Sequence, residues 1–208
     1  MSDDPRCPRC GVELLAPTVM REYHACPTHG PVPVQHPPRL PSSATLTALA
    51  AESDVPFWVP WPLPATWVFA GIQVVGGGRQ PIEAATLGFT GRGMSAGPSD
   101  LLIVGEKPGT GVGARWAGVP EPAPSLMAQP ATTKIRTAGW PTPLWPLESP
   151  GRAAYVGESA GCWLWLITWP DTSWSVFDLD LELRDLRDGI AIDLPSGAML
   201  PRLEAPDR

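Results

Sequence analysis

The sequence predicts a mainly β protein of the α+β class, in which a small N-terminal ribbon precedes a predominantly antiparallel β-sheet domain with one short helix. Two observations carry this prediction. The phrase C-P-x-C/H-G occurs twice near the start, at residues 7–11 and 26–30. After residue 41, short apolar runs alternate with glycine turns, and few stretches show helical periodicity. Strands joined by short turns favour an antiparallel sheet that is strongly curved or barrel-like.

Each copy of the phrase places two metal-ligand side chains three positions apart on a tight turn: Cys7 and Cys10, then Cys26 and His29. Two such pairs suit the tetrahedral coordination of zinc, and a histidine in place of a fourth thiolate favours zinc over iron. Four protein ligands leave no open coordination position, so we predict a structural Zn²⁺ site. His24 remains an alternative fourth ligand.

The chain is predicted to comprise a Cys3His zinc ribbon at residues 1–30, a Pro-rich linker at residues 31–41 and a Trp/Pro-rich β domain at residues 42–208. Inside the ribbon, residues 12–15 and 22–25 are expected to pair as a short hairpin. The ribbon has too few residues to bury an apolar core that would keep it folded on its own. A structural zinc site, with an apparent binding free energy of about 10–16 kcal/mol, can replace that core.

The β domain is predicted to begin with a helix, capped by Ser42 or Ser43 and ending near Ser53. Residues 55–64 and 140–150 are expected to form rigid Trp-Pro segments outside any strand ladder, because proline lacks an N–H. Strands are predicted at residues 66–75, 84–90, 100–106, 112–117, 133–138, 152–157, 162–169, 177–184 and 190–194.

Five stretches carry a resemblance to a known family: CPRCG, VPFWVPWPLPATWVFAG, GVGARWAG, GWPTPLWPLE and GESAGCWLWLITWP. With them, nearly the whole chain resembles an uncharacterised actinobacterial family that has an N-terminal zinc ribbon and a Trp/Pro-rich C-terminal domain. The resemblance implies a cytoplasmic actinobacterial protein. It implies no activity and no functional residues.

Two glycine-rich motifs resemble enzyme sites but are predicted to be turns. Residues 157–161 match the G-x-S-x-G nucleophile elbow, which requires a histidine later in the chain, whereas the last histidine here is His36. Residues 109–113, G-T-G-V-G, have neither the spacing nor the G-K-[ST] phrase of a phosphate loop. We therefore favour a protein without catalytic activity.

Trp163, Trp165 and Trp169 share one face of the predicted strand at residues 162–169. They could stack on a ligand, but an aromatic stripe at strand spacing is expected to be core. Candidate pocket or surface residues are Glu106, Arg115, Trp163, Trp165 and Glu158.

The net charge is −6, and acidic residues are concentrated between residues 171 and 193. Among them, Asp178, Asp180 and Glu182 share a predicted strand face, which we expect to be solvated rather than to hold a divalent cation. No basic patch is present, which argues against nucleic-acid binding. The N-terminus has no apolar signal region, and prolines interrupt the longest uncharged run. We therefore expect a cytoplasmic protein without a membrane segment.

These observations favour a zinc-binding interaction or regulatory protein whose partner is a protein or peptide. One alternative is a carboxylate- and arginine-based enzyme or small-molecule binder that acts through the C-terminal domain. A second alternative is nucleic-acid binding through the ribbon, for which Arg6, Arg9 and Arg21 are the obvious cations.

Overall fold

The computed structural model describes residues 4–78, 80–93, 97–122, 124–172, 181–190 and 192–204. Strands predominate in it, which confirms the predicted class. The strands and helices are β1 (Ala25–Cys26), β2 (Gly30–Pro31), α1 (Ser43–Ala51), β3 (Trp58–Trp61), β4 (Val68–Gly77), β5 (Gln80–Arg92), β6 (Pro98–Glu106), α2 (Val112–Ala117), β7 (Thr133–Thr137), β8 (Trp140–Leu147), β9 (Ala153–Ser159), β10 (Cys162–Trp169), β11 (Glu182–Asp185) and α3 (Pro201–Glu204).

Nine strands form one sheet in the order β3-β11-β7-β8-β9-β10-β6-β5-β4, and β1 and β2 form a separate small sheet. The large sheet contains two meanders, β4–β6 and β7–β10, which are joined where β10 pairs with β6. Neighbouring strands are antiparallel, except that β11 runs parallel to β7. The glycine turns of the sequence therefore mark hairpins, as predicted.

The sheet curls, because strands from its two edges contribute to one apolar cluster. Trp58 and Val59 of β3 lie in the same inner cluster as Phe69 and Ile72 of β4. The segment before β3 also approaches β6 so closely that a Cβ on Gly105 would lie 2.5 Å from the carbonyl oxygen of Pro56. The inner cluster therefore fills the concave side of the sheet.

A second apolar cluster covers the outer face, beneath α2 and α3. Trp165 and Trp169 of β10 are buried in it, and Trp163 packs against it at half-buried exposure. The sequence prediction that these tryptophans form core is therefore confirmed for Trp165 and Trp169. No helix among the described residues is long and apolar enough to cross a membrane.

The predicted helix after the linker is confirmed as α1. The hydroxyl of Ser42 accepts a hydrogen bond from the N–H of Thr45 at 3.3 Å, which caps the first turn. Leu46 and Ala50 are buried on one side of α1 and belong to the inner cluster. The helix therefore closes part of the concave side.

Part of the proline-rich segment, residues 31–41, lies along the free edge of β4. Arg39 and Ile72 exchange backbone hydrogen bonds of 2.9 and 2.8 Å. The N–H of Gly76 donates to the carbonyl of Val34 at 2.9 Å. The division of the chain into ribbon, linker and β domain stays a prediction, but this segment is hydrogen-bonded to the sheet.

The predicted strand at residues 112–117 is wrong, because this segment forms α2. The buried carboxylate of Glu106 accepts hydrogen bonds from the N–H groups of Val112 and Gly113, which lie in the first turn of α2. This contact supplies a cap from a different element, and Gly111 provides the left-handed backbone (φ = +81°) that starts the turn. Neither the capping role of Glu106 nor the left-handed conformation of Gly111 can be recognised from the local sequence.

The Trp-Pro segments were expected to lie outside any ladder, and this expectation is wrong for both. The first contains β3, which pairs with β11 and lies at the edge of the sheet. An edge strand tolerates a proline such as Pro60, which has no N–H to donate. The second contains β8, which pairs with β7 through residues 140–144 and with β9 through residues 145–147. Each half of β8 is thus paired on one side. On the other side, the N–H that proline lacks is not needed for a ladder hydrogen bond, so β8 can contain prolines.

Of the predicted strand at residues 190–194, the described residues 190 and 192–194 form no strand, and β11 is already paired with both β3 and β7. Ile192 and Leu194 pack into the inner cluster instead. Of the predicted strand at residues 177–184, the portion holding Asp178 and Asp180 lies outside the described residues. Glu182 forms an ion pair of 2.9 Å with Arg184.

Candidate metal centre

The four predicted ligands come together in the ribbon. One possible ligand atom from each of Cys7, Cys10, Cys26 and His29 lies within 4.8 Å of the other three. His24 is not part of this group. The repeated phrase therefore brings its side chains to one point, with His29 as the fourth member.

Three of the six distances between the ligand atoms match the edges of a small tetrahedron, and the other three are at most 4.8 Å. Nδ1 of His29 lies 3.5 Å from Sγ of both Cys7 and Cys26, and Sγ of Cys10 lies 3.6 Å from Sγ of Cys26. With metal–ligand bonds of about 2.0–2.3 Å, zinc requires edges of about 3.5–3.8 Å. The donor set and its spacing therefore fit a tetrahedral metal ion.

Two backbone turns hold this geometry. The N–H of Gly11 donates to the carbonyl of Cys7 at 2.8 Å, and Gly11 adopts φ = +73°, a conformation that favours glycine. Cys26 pairs with Gly30 (φ = +70°) in the β1–β2 hairpin. A separate isolated bridge between Leu15 and Ala25 joins the two arms of the hairpin predicted at residues 12–15 and 22–25.

The two buried thiols differ electrostatically. Burial raises the pKa of Cys7 to about 11. Burial also acts to raise the pKa of Cys26, but hydrogen bonds from the backbone N–H groups of Thr28 and His29 and from the side chains of His29 and Cys10 outweigh it and lower that pKa to about 6. A metal ion binds the thiolate form, and of these two thiols Cys26 has the lower pKa.

A polar junction joins the ribbon to the sheet. Arg6 and Gln35 exchange backbone hydrogen bonds of 3.2 and 2.9 Å. The buried side chain of Gln35 accepts a hydrogen bond of 2.7 Å from Arg115 on α2 and donates to Gln73 on β4. Gln35 was not predicted from the sequence, because buried positions are predicted from apolar residues and glutamine is polar.

The first metal-binding turn rests on the glycine-rich segment at residues 109–113. The guanidinium of Arg9 donates to the carbonyl of Gly109. A Cβ on Gly111 would lie 2.9 Å from Cγ of Arg9, so glycine permits this approach. The segment that resembles a phosphate loop is therefore where the ribbon contacts the large sheet.

The chain's own carboxylate fills the position that an external anion would occupy at α2. Glu106 accepts hydrogen bonds from Val112 (2.7 Å) and Gly113 (3.1 Å). Burial nevertheless raises the pKa of Glu106 to about 7. The contacts of Glu106 are therefore those of a structural group that supports the start of α2.

Most of the candidate pocket residues lie on the outer face of the sheet. Trp163 is in register with Glu106 on one neighbouring strand and with Glu158 on the other. Trp165 packs under α2, so closely that a Cβ on Gly113 would lie 2.2 Å from its ring. Arg115, on α2, contacts the junction with the ribbon. Glu158 is exposed and lines a pocket at one end of the sheet.

The G-E-S-A-G motif forms the β9–β10 hairpin turn, as predicted. Ala160 and Gly161 adopt φ = +54° and +72°, the left-handed pair typical of a tight two-residue turn. The hydroxyl of Ser159 lies 2.8 Å from the hydroxyl of Thr137, which in turn lies 2.6 Å from that of Thr142. Sequence analysis missed this hydroxyl cluster, because its members lie on three different strands.

Comparison with known families matches residues 1–203 to DUF6758, a family of unknown function. The match spans both the metal-binding cluster and the curled sheet. No curated protein matches the chain, and no solved structure matches it.

Proposed function

The chain belongs to the DUF6758 family of unknown function, and we propose that it is a zinc-dependent interaction protein. In this proposal a structural Zn²⁺ ion held by Cys7, Cys10, Cys26 and His29 orders the ribbon. The ribbon then presents apolar side chains to a partner protein or peptide. Three thiolates and one imidazole in tetrahedral spacing are typical of structural zinc sites, which have no open position for a substrate.

The observation that carries the proposal is the position of the exposed apolar side chains. Of the eight large exposed hydrophobic residues in the described part of the chain, five lie in the ribbon. These are Val12, Leu15, Val19, Met20 and Tyr23. Single exposed apolar residues are common, but five within twelve positions mark an interaction surface.

Val19 and Met20, almost fully exposed, lie at the hairpin tip, where the backbones of Thr18 and Arg21 pair. Neither side chain contributes to the small cluster that Leu14 forms with the buried ligands. Their exposure therefore gives the fold no stability, whereas a partner that covered them would gain apolar burial.

The arginines proposed for nucleic-acid binding are engaged within the chain. Arg6, Arg9 and Arg21 each donate a hydrogen bond to a main-chain carbonyl. These contacts favour a protein or peptide partner over nucleic acid. Reduced thiols are required for zinc coordination, which supports a cytoplasmic location within this proposal. The absence of asparagine and the scarcity of lysine, with two in the chain, support a bacterial source with a GC-rich genome, and the family resemblance extends this proposal to an actinobacterial source.

A matched pair of surface variants tests the proposal. The double variant Val19→Ser, Met20→Ser removes the hairpin tip, and Leu40→Ser removes an exposed apolar residue outside the ribbon. Crosslinking of zinc-loaded protein in the source cells, followed by quantitative mass spectrometry, should show a partner that the double variant loses and Leu40→Ser retains. Equal recovery of every crosslinked protein with both variants would contradict the proposal.

A further inference from the structure

One end of the curled sheet carries polar side chains at positions that face the concave side. Along three strands, the inward-facing residues one step deeper are Ile135, Leu144 and Leu183, all in the inner apolar cluster. Nearer this end, the inward-facing residues are Thr137, Thr142, Ser159 and Asp185, with Trp140 at the end of β8. An apolar interior that becomes polar on several adjacent strands at one end is typical of a ligand-binding mouth.

The three hydroxyl groups form a connected cluster with hydrogen-bonding capacity to spare. The oxygen of Thr137 lies 2.6 Å from that of Thr142 and 2.8 Å from that of Ser159. Two contacts use two of the three hydroxyl protons, which leaves one donor and several acceptor lone pairs. Thr137 and Thr142 are buried, so the cluster is fixed in place rather than freely solvated.

A pocket of about 450 Å³ opens over this cluster. Its volume lies within the range of roughly 300–1,000 Å³ that is usual for small-molecule sites. Trp140, 76% exposed, stands at its rim and is in register with Thr137, so both side chains lie on the concave face. Trp58 also lines the pocket, and its buried indole N–H has no acceptor within the described residues.

The buried carboxylate of the wall is paired with an arginine, whereas the carboxylates of Glu158 and Asp188 are exposed and give the lining a net negative charge. Oδ2 of Asp185 accepts hydrogen bonds of 2.8 Å from the guanidinium of Arg187. Oδ1 of the same carboxylate accepts from the N–H of Phe57 at 3.1 Å. Asp188 is exposed at the margin. The inner wall therefore offers directed hydrogen bonds and an aromatic face, and the unpaired negative charge lies on the exposed carboxylates of Glu158 and Asp188.

We propose that this pocket binds a neutral polyhydroxylated ligand of the carbohydrate class. A sugar ring has an apolar C–H face, which suits the exposed ring of Trp140. Its edge carries hydroxyl groups that both donate and accept, as the cluster of Thr137, Thr142 and Ser159 requires. The proposal is independent of the ribbon and of its metal ion.

Saturation-transfer NMR and titration calorimetry test this proposal on the full zinc-loaded chain. The probes are glucose, galactose, mannose and maltose, with spermidine and inorganic phosphate as charged comparisons. We expect at least one sugar to bind, with saturation transfer to the ring protons on one face. Absence of binding by all four sugars at concentrations on the order of 10 mM would overturn the proposal, as would tighter binding of a charged probe.

Variants locate the site. Trp140→Ala should weaken sugar binding by about tenfold or more, and Ser159→Ala by a smaller factor. Trp140 is exposed, so its removal leaves the fold intact. The matched control is Glu148→Gln, which alters an exposed carboxylate that does not line this pocket and should change affinity by less than about twofold. Equal sugar affinity in Trp140→Ala and the wild-type chain would overturn the assignment.

Discussion

The ribbon and the curled sheet differ in how much apolar surface they bury. In the ribbon, the buried cluster consists of Leu14 and two of the ligand cysteines, Cys7 and Cys26. The sheet has an extensive apolar cluster on each face, with fully buried tryptophans such as Trp116 and Trp165. Burial of apolar surface can stabilise the sheet, whereas the ribbon has too little of it.

Because of this difference, we expect the order of the ribbon and the order of the sheet to respond to different solution conditions. The proposed structural zinc ion would contribute its binding free energy to folding, so we expect the order of the ribbon to depend on metal supply and on thiol chemistry. The sheet depends on packing, which neither of these affects directly. The two parts meet at Gln35 and Arg9, which are polar contacts rather than a shared core.

Metal removal should produce the largest contrast between the two parts. Cys26→Ser removes the ligand with the depressed pKa, and the apparent zinc-binding free energy of about 10–16 kcal/mol should be largely lost. Hydrogen exchange should then show fast exchange in residues 4–30 and persistent protection in β4, β5, β6 and β10. The control Cys162→Ala alters a buried cysteine of the sheet and should retain one zinc per chain by elemental analysis. Protection of the ribbon in metal-free protein would refute the contrast.

Truncation of a core tryptophan should produce the reverse effect. Trp165→Ala should lower the free energy of unfolding of the sheet by about 3–5 kcal/mol, because the large cavity it creates lies under α2. Denaturant unfolding measures this loss, and zinc content should remain at the wild-type level. Trp140→Ala, an exposed site, should change the free energy by less than about 0.5 kcal/mol. Similar losses for both variants would show that Trp165 is not part of the core.

A smaller contrast concerns pH. Burial, with a contribution from the nearby charge of Glu121, raises the pKa of Glu106 from 4.5 to about 7. The folded chain therefore retains a proton that the unfolded chain releases. The stability due to this group is complete below about pH 4.5 and falls by about 3 kcal/mol as the pH rises to about 7.

Glu106→Gln should remove this pH dependence, at a cost of about 1–3 kcal/mol because one backbone N–H of α2 loses its acceptor. The measurement is denaturant unfolding of zinc-loaded protein between pH 5 and pH 8, expressed as the difference from wild type. Contributions from other groups then cancel. Glu158→Gln should keep the wild-type profile. An unchanged profile in Glu106→Gln would show that another group causes the dependence.

Local patterns in the sequence correctly predicted most strands and the clustering of three cysteines with His29, and metal binding by this cluster stays a prediction. Cys7 and Cys10 lie on one turn, and their spacing alone indicates a metal site. The strict alternation that places Trp165 and Trp169 on one face depends on the pleat of a single strand. The tight turn at Ala160 and Gly161 is likewise encoded by adjacent residues.

Features that depend on distant residues escaped prediction. The helix at residues 112–117 requires the carboxylate of Glu106, and glycines at positions 111 and 113 disfavour a helix locally. The proline-containing strand β8 is possible because it exchanges one partner strand for another at residue 145. The hydroxyl cluster over which the pocket opens likewise requires the pairing of β7, β8 and β9.

The proline-rich segment along β4 has a consequence for the behaviour of the protein in a crowded solution. β4 is the last strand of the sheet, and an uncovered terminal strand offers its backbone groups to strands of other molecules. Hydrogen bonds from residues 34–39 occupy several of these groups. The prolines that adjoin them cannot donate to an incoming strand. The segment thus hinders the edge of β4 from pairing with strands of other molecules.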